Sequence, residues 1–318
     1  MTGGGSGIGS AIARTTSKDY TVVICGRRVE PLLAVADETG GVALQADLSQ
    51  PDSSVEIVHR TLDRFGRLDA LVLNAGIVEP APISDLPLDS WQRQIMVNLT
   101  SPFLTVQASL PSLSRQKGAI VGIASAAAGH AGAGLSAYGV SKAGMVRLMQ
   151  SVAFEMADAG VRANAVSPGW VRTEMGDMEM TALCGSPESG YAQVTRHVPQ
   201  RRAAQPEEIA AVVRFLLSPA ASFMTGANVE VDGGSSLVDA GSLPAMVNSH
   251  SAVSEEVLGA KAGDKVFRPK EPRTPNFRQP TNQAEIAISK QHDARADIGS
   301  APGHGAEGRL RRRSKERK

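Results

Sequence analysis

Three side chains near the middle of the chain have the types and spacing needed for proton transfer at a carbonyl or alcohol group. Tyr138 and Lys142 lie four residues apart in the helical pattern SAYGVSKAGMVRLMQSVAFEM, so both side chains share one helix face. Ser125 ends the apolar run GAIVGIAS, which would place its hydroxyl at the end of a strand. A phenol can act as a general acid or base, and a nearby cation favours its ionised form. Two surface residues of a helix are the alternative interpretation.

A glycine-rich stretch at the start of the chain, TGGGSGIG, could bind the phosphates of a nucleotide. Gly3, Gly7 and Gly9 precede the helical pattern SAIAR. Glycine permits a tight turn and a close approach of backbone N–H groups to a pyrophosphate, whose negative charge a helix N-terminus favours. Taken alone, the stretch is a weak signal and is more typical of a turn that binds nothing.

Alternating apolar runs and helical patterns predict the elements that would position these residues. Strands are predicted at 20–26, 41–47, 68–76, 118–125, 161–169 and 227–234, and helices at 52–65, 89–113, 137–158 and 206–217. Strands that are apolar on both faces and alternate with helices indicate an α/β fold, in which a parallel sheet is covered on both sides. Ligands bind at the carboxyl ends of such strands.

Composition restricts the class of protein. The 318 residues are 42% hydrophobic and 20% charged, as in an ordinary globular protein. Cys25 and Cys184 are the only cysteines, too few for a disulfide framework and without metal-ligand spacing. No long apolar run or charged-then-apolar leader is present, so we expect a soluble, cytoplasmic protein with no membrane span and no metal.

The chain changes character near residue 239. Residues 1–239 carry 18 Lys and Arg against 23 Asp and Glu, whereas the last 79 residues carry 15 against 9. The later region is rich in Pro, Gly, Asn, Gln and Ser and ends in RLRRRSKERK. This predicts a folded domain over 1–239 and a disordered, low-complexity basic tail over 240–318. A solvated tail is favoured over nucleic-acid or membrane contact.

The segment 174–200 interrupts the alternation of strands and helices. It is rich in Met and contains Gly and Pro. Its length and position suit a mobile lid over a substrate. An ordinary surface loop is the alternative.

Together these patterns resemble the short-chain dehydrogenase/reductase family over residues 2–238. The motifs occur in the family's order: TGGGSGIG, ADL at 46–48, NAG at 74–76, MVNL around Asn98, IAS at 123–125, YGVSK at 138–142, SPGWVRT at 167–173 and TGANVEVDGG. The resemblance implies a Rossmann-type, doubly wound parallel sheet of order 3-2-1-4-5-6-7, NAD(P)-dependent oxidation of CH–OH or reduction of C=O, and a homodimer or homotetramer. The C-terminal part is similar to 3-oxoacyl carrier-protein reductases, without identifying the small-molecule substrate.

The resemblance also assigns roles to residues. It implies that Tyr138 is the general acid/base, that Lys142 lowers the pKa of Tyr138 and holds the nicotinamide ribose, and that Ser125 hydrogen-bonds the reacting oxygen. Asn98 matches the residue that organises a water relay to Lys142. The residues expected along the cofactor are Gly3, Gly7, Ile8, Gly9, Asp47, Leu48, Asn74, Ala75, Gly76, Tyr138, Lys142, Pro168, Gly169, Val171 and Thr173.

The residues after the second predicted core strand of the family bear on the choice of cofactor. Gly26 stands where members that prefer NAD usually carry an acidic residue, and Arg27 and Arg28 follow. A guanidinium can pair with the 2′-phosphate of NADP. NADP is therefore expected, with NAD possible because a basic residue here can also stack on adenine.

One departure from the family concerns its central first strand. Only Met1 precedes the glycine-rich stretch, and we expect the strand to lie in sequence upstream of Met1. Its loss would leave backbone groups of two neighbouring strands unpaired. The main hypothesis is an NADP-dependent oxidoreductase, and an NAD-dependent alcohol or sugar dehydrogenase is the alternative within the family. A non-catalytic binding protein and a destabilised reductase fragment are the alternatives outside it.

Overall fold

The structure, a computed structural model, describes residues 1–238 and confirms the predicted α/β fold. The strands are β1 (Val23–Gly26), β2 (Val42–Gln45), β3 (Ala70–Leu73), β4 (Ala119–Ile123), β5 (Arg162–Pro168) and β6 (Asn228–Val231). The helices are α1 (Gly7–Thr16), α2 (Val29–Thr39), α3 (Pro51–Phe65), α4 (Leu88–Ile95), α5 (Ser101–Gln116), α6 (Ser136–Glu155), α7 (Glu174–Cys184), α8 (Pro187–Thr195) and α9 (Pro206–Leu217). A π-helical turn, Met96–Thr100, joins α4 to α5. The predicted tail, 240–318, lies outside the described residues.

All pairing between these strands is parallel. One group has the order β3-β4-β5-β6, and β1 pairs with β2 in a second group. The register sets Ala70 beside Ala119 and Ala119 beside Arg162. Because the strands run in one direction, their carboxyl ends meet at one edge, where ligands of α/β sheets bind.

The core lies on both faces of the central strands. Every residue of β4 is buried, as expected for a strand covered on both sides. On one face Val121 packs with Ile209 of α9. On the other face Ile120 packs with Met145 and Met149 of α6. Helix α6, which carries two of the predicted catalytic residues, is thereby fixed against the sheet.

Residues Met1–Gly3 occupy the position between β1 and β3. The Met1 amino group donates a hydrogen bond to Val23 O at 2.5 Å, and Cys25 N donates to Met1 O at 3.0 Å. On the other side Thr2 N donates to Val72 O at 3.0 Å. These short contacts hold the glycine-rich loop at the carboxyl ends of its two neighbouring strands.

A cavity of about 420 Å³ opens beside Met1, between the amino-terminal halves of β1 and β3. Peptide groups of alternate residues in a strand point to opposite sides. Cys25 and Val72 point their backbone groups toward Met1–Gly3, so Val23 and Ala70, two residues earlier, point theirs to the same side. Val23 O is paired with the Met1 amino group, and Val23 N and the backbone groups of Ala70 face this cavity. The cavity coincides with the expected position of the family's first strand.

Within residues 1–238, no helix has the length and apolar character needed to cross a membrane. The same part of the chain contains no group of three or more His, Cys, Asp or Glu side chains placed to hold a metal ion.

Candidate active site

A cavity of about 850 Å³ runs along the carboxyl ends of the strands. It brings together nearly all the residues singled out in the sequence, with the exception of Asn98. Those lining it are Gly3, Gly7, Ile8, Gly9, Arg27, Arg28, Asp47, Leu48, Asn74, Ala75, Gly76, Ser125, Tyr138, Lys142, Pro168, Gly169, Val171 and Thr173.

The glycine-rich loop forms one wall of this cavity, and α1 begins within it. Gly3 and Gly7 have φ angles of 66° and 53°, a left-handed conformation that favours glycine. A Cβ atom at Gly3 would lie 2.8 Å from Nδ2 of Asn74, which donates a hydrogen bond to Gly3 O at 2.9 Å. The loop is thus packed closely against Asn74, the residue after β3. A helix N-terminus beside exposed glycine backbone fits the phosphates of a dinucleotide.

The opposite end of the loop faces the two arginines that follow β1. Arg28 donates one hydrogen bond to Ser6 Oγ at 2.9 Å and two to Glu174, the first residue of α7. Asp47, after β2, accepts a hydrogen bond from Ser49 N at 3.0 Å, which lowers the pKa of its carboxyl group. Donors suited to a phosphate and an acceptor suited to ribose or adenine therefore lie at this end.

Ser125 and Tyr138 meet farther along the cavity. Ser125 follows β4, and its hydroxyl accepts a hydrogen bond from Ala127 N at 3.1 Å. Tyr138 lies in the first turn of α6, where burial raises the pKa of its phenol. A hydrogen bond with Ser125 acts in the opposite direction, and the negative charge of Glu179 raises the pKa further. Burial therefore has the largest effect on the pKa of Tyr138. The expected lowering of this pKa by Lys142 stays a prediction.

Lys142 is buried one helical turn beyond Tyr138. Its Nζ donates a hydrogen bond to Ile123 O at 2.9 Å and lies 5.6 Å from the centroid of the Tyr138 ring. Burial lowers the pKa of its ammonium group to about 8. The predicted proximity of these two side chains on one helix face is present.

Asn98 lies behind the cavity, in the π-helical turn. Its Oδ1 accepts a hydrogen bond from Ile77 N at 2.8 Å, and its Nδ2 donates to Ile77 O at 2.9 Å and to Ser141 Oγ at 3.0 Å. The Ser141 hydroxyl in turn donates to Tyr138 O at 2.7 Å. The amide therefore ties the segment after NAG to the helix of Tyr138. Its predicted part in a water relay stays a prediction.

The segment 174–200 forms two helices, α7 and α8, rather than an extended loop. Met180 and Tyr191 are buried between them, and the Tyr191 hydroxyl donates to Val171 O at 3.0 Å. Helix α7 covers the cavity with Met175 and Met178. Helix α7 thus lies where a substrate lid is expected. That this segment moves stays a prediction.

Several residues of the site had no assigned role in the sequence. Ser6 and Ser141 lie within the glycine-rich and YGVSK motifs, so the motifs could have indicated them. Trp170, which also lines the cavity, lies within the motif SPGWVRT, whereas Glu179 lines it without any motif or spacing that signals it. The position of Glu179 depends on how α7 folds back over the sheet after β5.

Comparison with known proteins agrees with this geometry. A family model described as Enoyl-(Acyl carrier protein) reductase matches residues 3–236, nearly all of the described region. The chain belongs to the short-chain dehydrogenase/reductase family. As a member of this family it is an NAD(P)-dependent oxidoreductase.

Curated short-chain dehydrogenases/reductases resemble the chain over nearly their whole length. Protein MoaE of Klebsiella aerogenes is 40% identical over 247 residues, which cover 75% of this chain and 95% of that protein. Cis-4-hydroxycyclohexanecarboxylate dehydrogenase of Sinomonas cyclohexanicum is 37% identical, covering 74% and 94%. The 3-oxoacyl-[acyl-carrier-protein] reductase of Synechocystis is 34% identical, also covering 74% and 94%. Among solved structures, levodione reductase matches with a TM-score of 0.71 and 31% identity, covering 75% and 96%.

Proposed function

We propose that the chain reduces a carbonyl group to a secondary alcohol, or catalyses the reverse reaction, with NADP(H) as cofactor and Tyr138 as the general acid/base. The observation that supports this proposal is the meeting of Ser125 and Tyr138 in the cavity that also contains the glycine-rich loop. When bound, the nicotinamide would supply or accept the hydride at the carbon atom of the substrate.

The side chains of the chain would act at the oxygen atom of the substrate. In the reductive direction the phenol of Tyr138 donates its proton to the carbonyl oxygen, and the Ser125 hydroxyl donates a hydrogen bond to the same oxygen as negative charge develops. The raised pKa of Tyr138 keeps the phenol protonated at neutral pH. A protonated phenol is the form that a proton donor requires, which favours carbonyl reduction as the direction tested first.

Lys142 would serve in two ways. Its ammonium group lies close to the Tyr138 ring and stabilises the phenolate left after proton transfer. Its position beside Gly76, where a Cβ atom would lie 3.3 Å from Nζ, also suits a hydrogen bond to a cofactor ribose. For the cofactor, Arg27 and Arg28 favour the 2′-phosphate of NADP.

The test follows NADPH absorbance with the full chain and a panel of ketones and β-ketoacyl thioesters, and NADP⁺ with cis-4-hydroxycyclohexanecarboxylate. We expect Tyr138→Phe to lower kcat by at least about a hundredfold while still binding NADPH. Tyr20→Phe is the matched control, because the Tyr20 hydroxyl donates to Leu217 O at 3.2 Å and does not line the active-site cavity. No turnover by the parent chain, or equal turnover by Tyr138→Phe, would overturn the proposal.

We also propose that the chain forms a homodimer or homotetramer through α5 and α6. Phe103, Val140 and Phe154 on these helices are 45%, 50% and 88% exposed, more apolar surface than solvent-facing helices usually carry. Light scattering on the full chain tests this. A monomer at micromolar concentration would contradict it.

A further inference from the structure

Helix α7 presents a carboxylate to the catalytic end of the cavity. Glu179 is half-buried and lines the same cavity as Ser125 and Tyr138. Across residues 1–238, this carboxylate has neither a hydrogen-bond nor an ion-pair partner. A partly desolvated charge without a partner is unfavourable, so it is commonly compensated by a ligand or by another residue.

The other charged side chains at this end of the cavity already have partners. Arg93 donates to both carboxylate oxygens of Glu79, each at 2.8 Å. Lys142 donates to Ile123 O, and the Nδ1 atom of His130 lies 3.1 Å from Ala126 O. Among these side chains, described within residues 1–238, Glu179 is the carboxylate that has no direct partner.

Glu179 is close enough to influence the reacting group. Burial raises the pKa of its own carboxyl group, and its negative charge raises the pKa of the Tyr138 phenol. Because Glu179 and Tyr138 line the same cavity, a substrate whose oxygen contacts Tyr138 and whose body extends toward α7 would reach this carboxylate.

The surroundings of Glu179 are apolar and aromatic. Met175, Met178 and Glu179 have the spacing of one helix face, and all three line the cavity. Trp170 also lines it and packs against the cluster that contains Met180, the residue after Glu179. Methionine adapts to apolar ligands of varied shape, and an indole ring attracts cations. A carboxylate in such surroundings suits an alkylammonium group better than a neutral hydroxyl.

We propose that the substrate carries a primary ammonium group on an apolar body, and that Glu179 binds this ammonium while Ser125 and Tyr138 bind the reacting oxygen. The inference rests on the proposed function, since it assigns the substrate class of the same site. Glu179 is in this view a residue of substrate specificity.

Binding is tested first, independently of turnover. The chain has two tryptophans, so Trp91→Phe leaves Trp170 as the only fluorescent indole. In this background, with NADP⁺ present, fluorescence is titrated with cyclohexylmethylammonium and with the neutral cyclohexylmethanol, neither of which absorbs in the range used. We expect saturable binding of the ammonium and an increase in its Kd of about five- to tenfold in Glu179→Gln.

The control variant is Glu188→Gln, which removes an exposed carboxylate of α8 outside the cavity and should leave both Kd values unchanged. Three outcomes would overturn the inference. They are no saturable binding of the ammonium, equal binding of the ammonium and the alcohol, and an unchanged ammonium Kd in Glu179→Gln.

Turnover is tested with two ketones that differ only in charge, para-(aminomethyl)acetophenone and para-ethylacetophenone. We expect kcat/KM to favour the ammonium ketone by about tenfold in the parent chain and by less than about twofold in Glu179→Gln. Reduction of both ketones without preference would overturn this inference and leave the proposed function standing. Reduction of neither would count against the proposed function, and the binding titration would still decide whether Glu179 recognises an ammonium.

Discussion

Arg28 and Glu174, which both line the candidate active-site cavity, form an ion pair with two hydrogen bonds. Nη1 of Arg28 donates to Oε1 of Glu174 and Nη2 donates to Oε2, each at 2.7 Å. The pair joins the residue before α2 to the first residue of α7. The guanidinium expected to bind a 2′-phosphate is thus held by a carboxylate of α7, with which a phosphate would have to compete.

Removing that carboxylate should strengthen NADPH binding. In Glu174→Gln the guanidinium is freed, so we expect the Kd of NADPH to fall by about two- to fivefold and that of NADH to stay the same. In Arg28→Gln we expect the Kd of NADPH to rise by about tenfold or more. Fluorescence titration with both cofactors measures these changes.

A matched control for this experiment is Glu38→Gln, which breaks an exposed pair with Arg14 outside the cavity. Its cofactor affinities should equal those of the parent chain. Equal weakening of NADPH and NADH binding in Arg28→Gln would refute a role in recognising the 2′-phosphate and would favour stacking on adenine.

Burial of Lys142 should make stability depend on pH. Its pKa is about 8 in the folded chain against an ordinary value of 10.5 for a lysine in water, so the folded state releases this proton first. Below pH 8 both states are protonated, and the unfavourable burial of the ammonium is fully present. As pH rises from 8 toward 10.5, the free energy of unfolding should therefore increase, by about 3 kcal/mol in all.

Lys142→Met isolates this effect, because methionine fills similar space without a titratable group. The stability advantage of Lys142→Met over the parent chain should be largest near neutral pH and shrink as pH rises. Urea unfolding of both proteins between about pH 7 and pH 10 measures the difference, in which the contributions of other groups cancel. A difference that does not change with pH would show that the ammonium is not desolvated.

Asn98 should be a positioning residue whose loss affects stability and catalysis together. Asn98→Ala leaves the N–H and C=O of Ile77 without partners, and we expect a loss of about 2–3 kcal/mol in the free energy of unfolding. Asn228→Ala removes one side-chain hydrogen bond, with Ser167, at an exposed position and should cost less. Urea unfolding compares the two variants, and equal losses would contradict the argument.

The cavity between β1 and β3 should accept an added strand. Five apolar residues joined ahead of Met1 would pair with Val23 N and with the backbone groups of Ala70 and fill this space. We expect the free energy of unfolding to rise by at least about 2 kcal/mol. An extension of the same length made of glycine and serine is the control. Equal stability of the two extended chains would show that the space cannot receive a strand.

The sequence predicted those features of the fold that depend on residues close together along the chain. Apolar runs located the strands, and the four-residue spacing of Tyr138 and Lys142 indicated their shared helix face. It was uninformative where contacts join distant segments. Arg28 and Glu174 are separated by 146 residues, so their pairing carries no periodic signal. The raised pKa of Tyr138 likewise results from burial by elements that are distant in the sequence. The spacing of Tyr138 and Lys142 does not indicate this burial.

The narrow connection at Met1–Gly3 has a consequence for cooperativity. Among residues 1–238, the strand pair β1–β2 is joined to the other strands by this short backbone bridge alone. Its remaining contacts with the rest of the fold are made by helices. Segments joined by few hydrogen bonds open at lower free energy than the molecule as a whole. We therefore expect β1 and β2, which lie at the end of the cleft proposed to bind adenine, to open more readily than the strands β3–β6. A dinucleotide lying across both groups of strands would act as a crosslink, coupling cofactor occupancy to protection of β1 and β2 from hydrogen exchange.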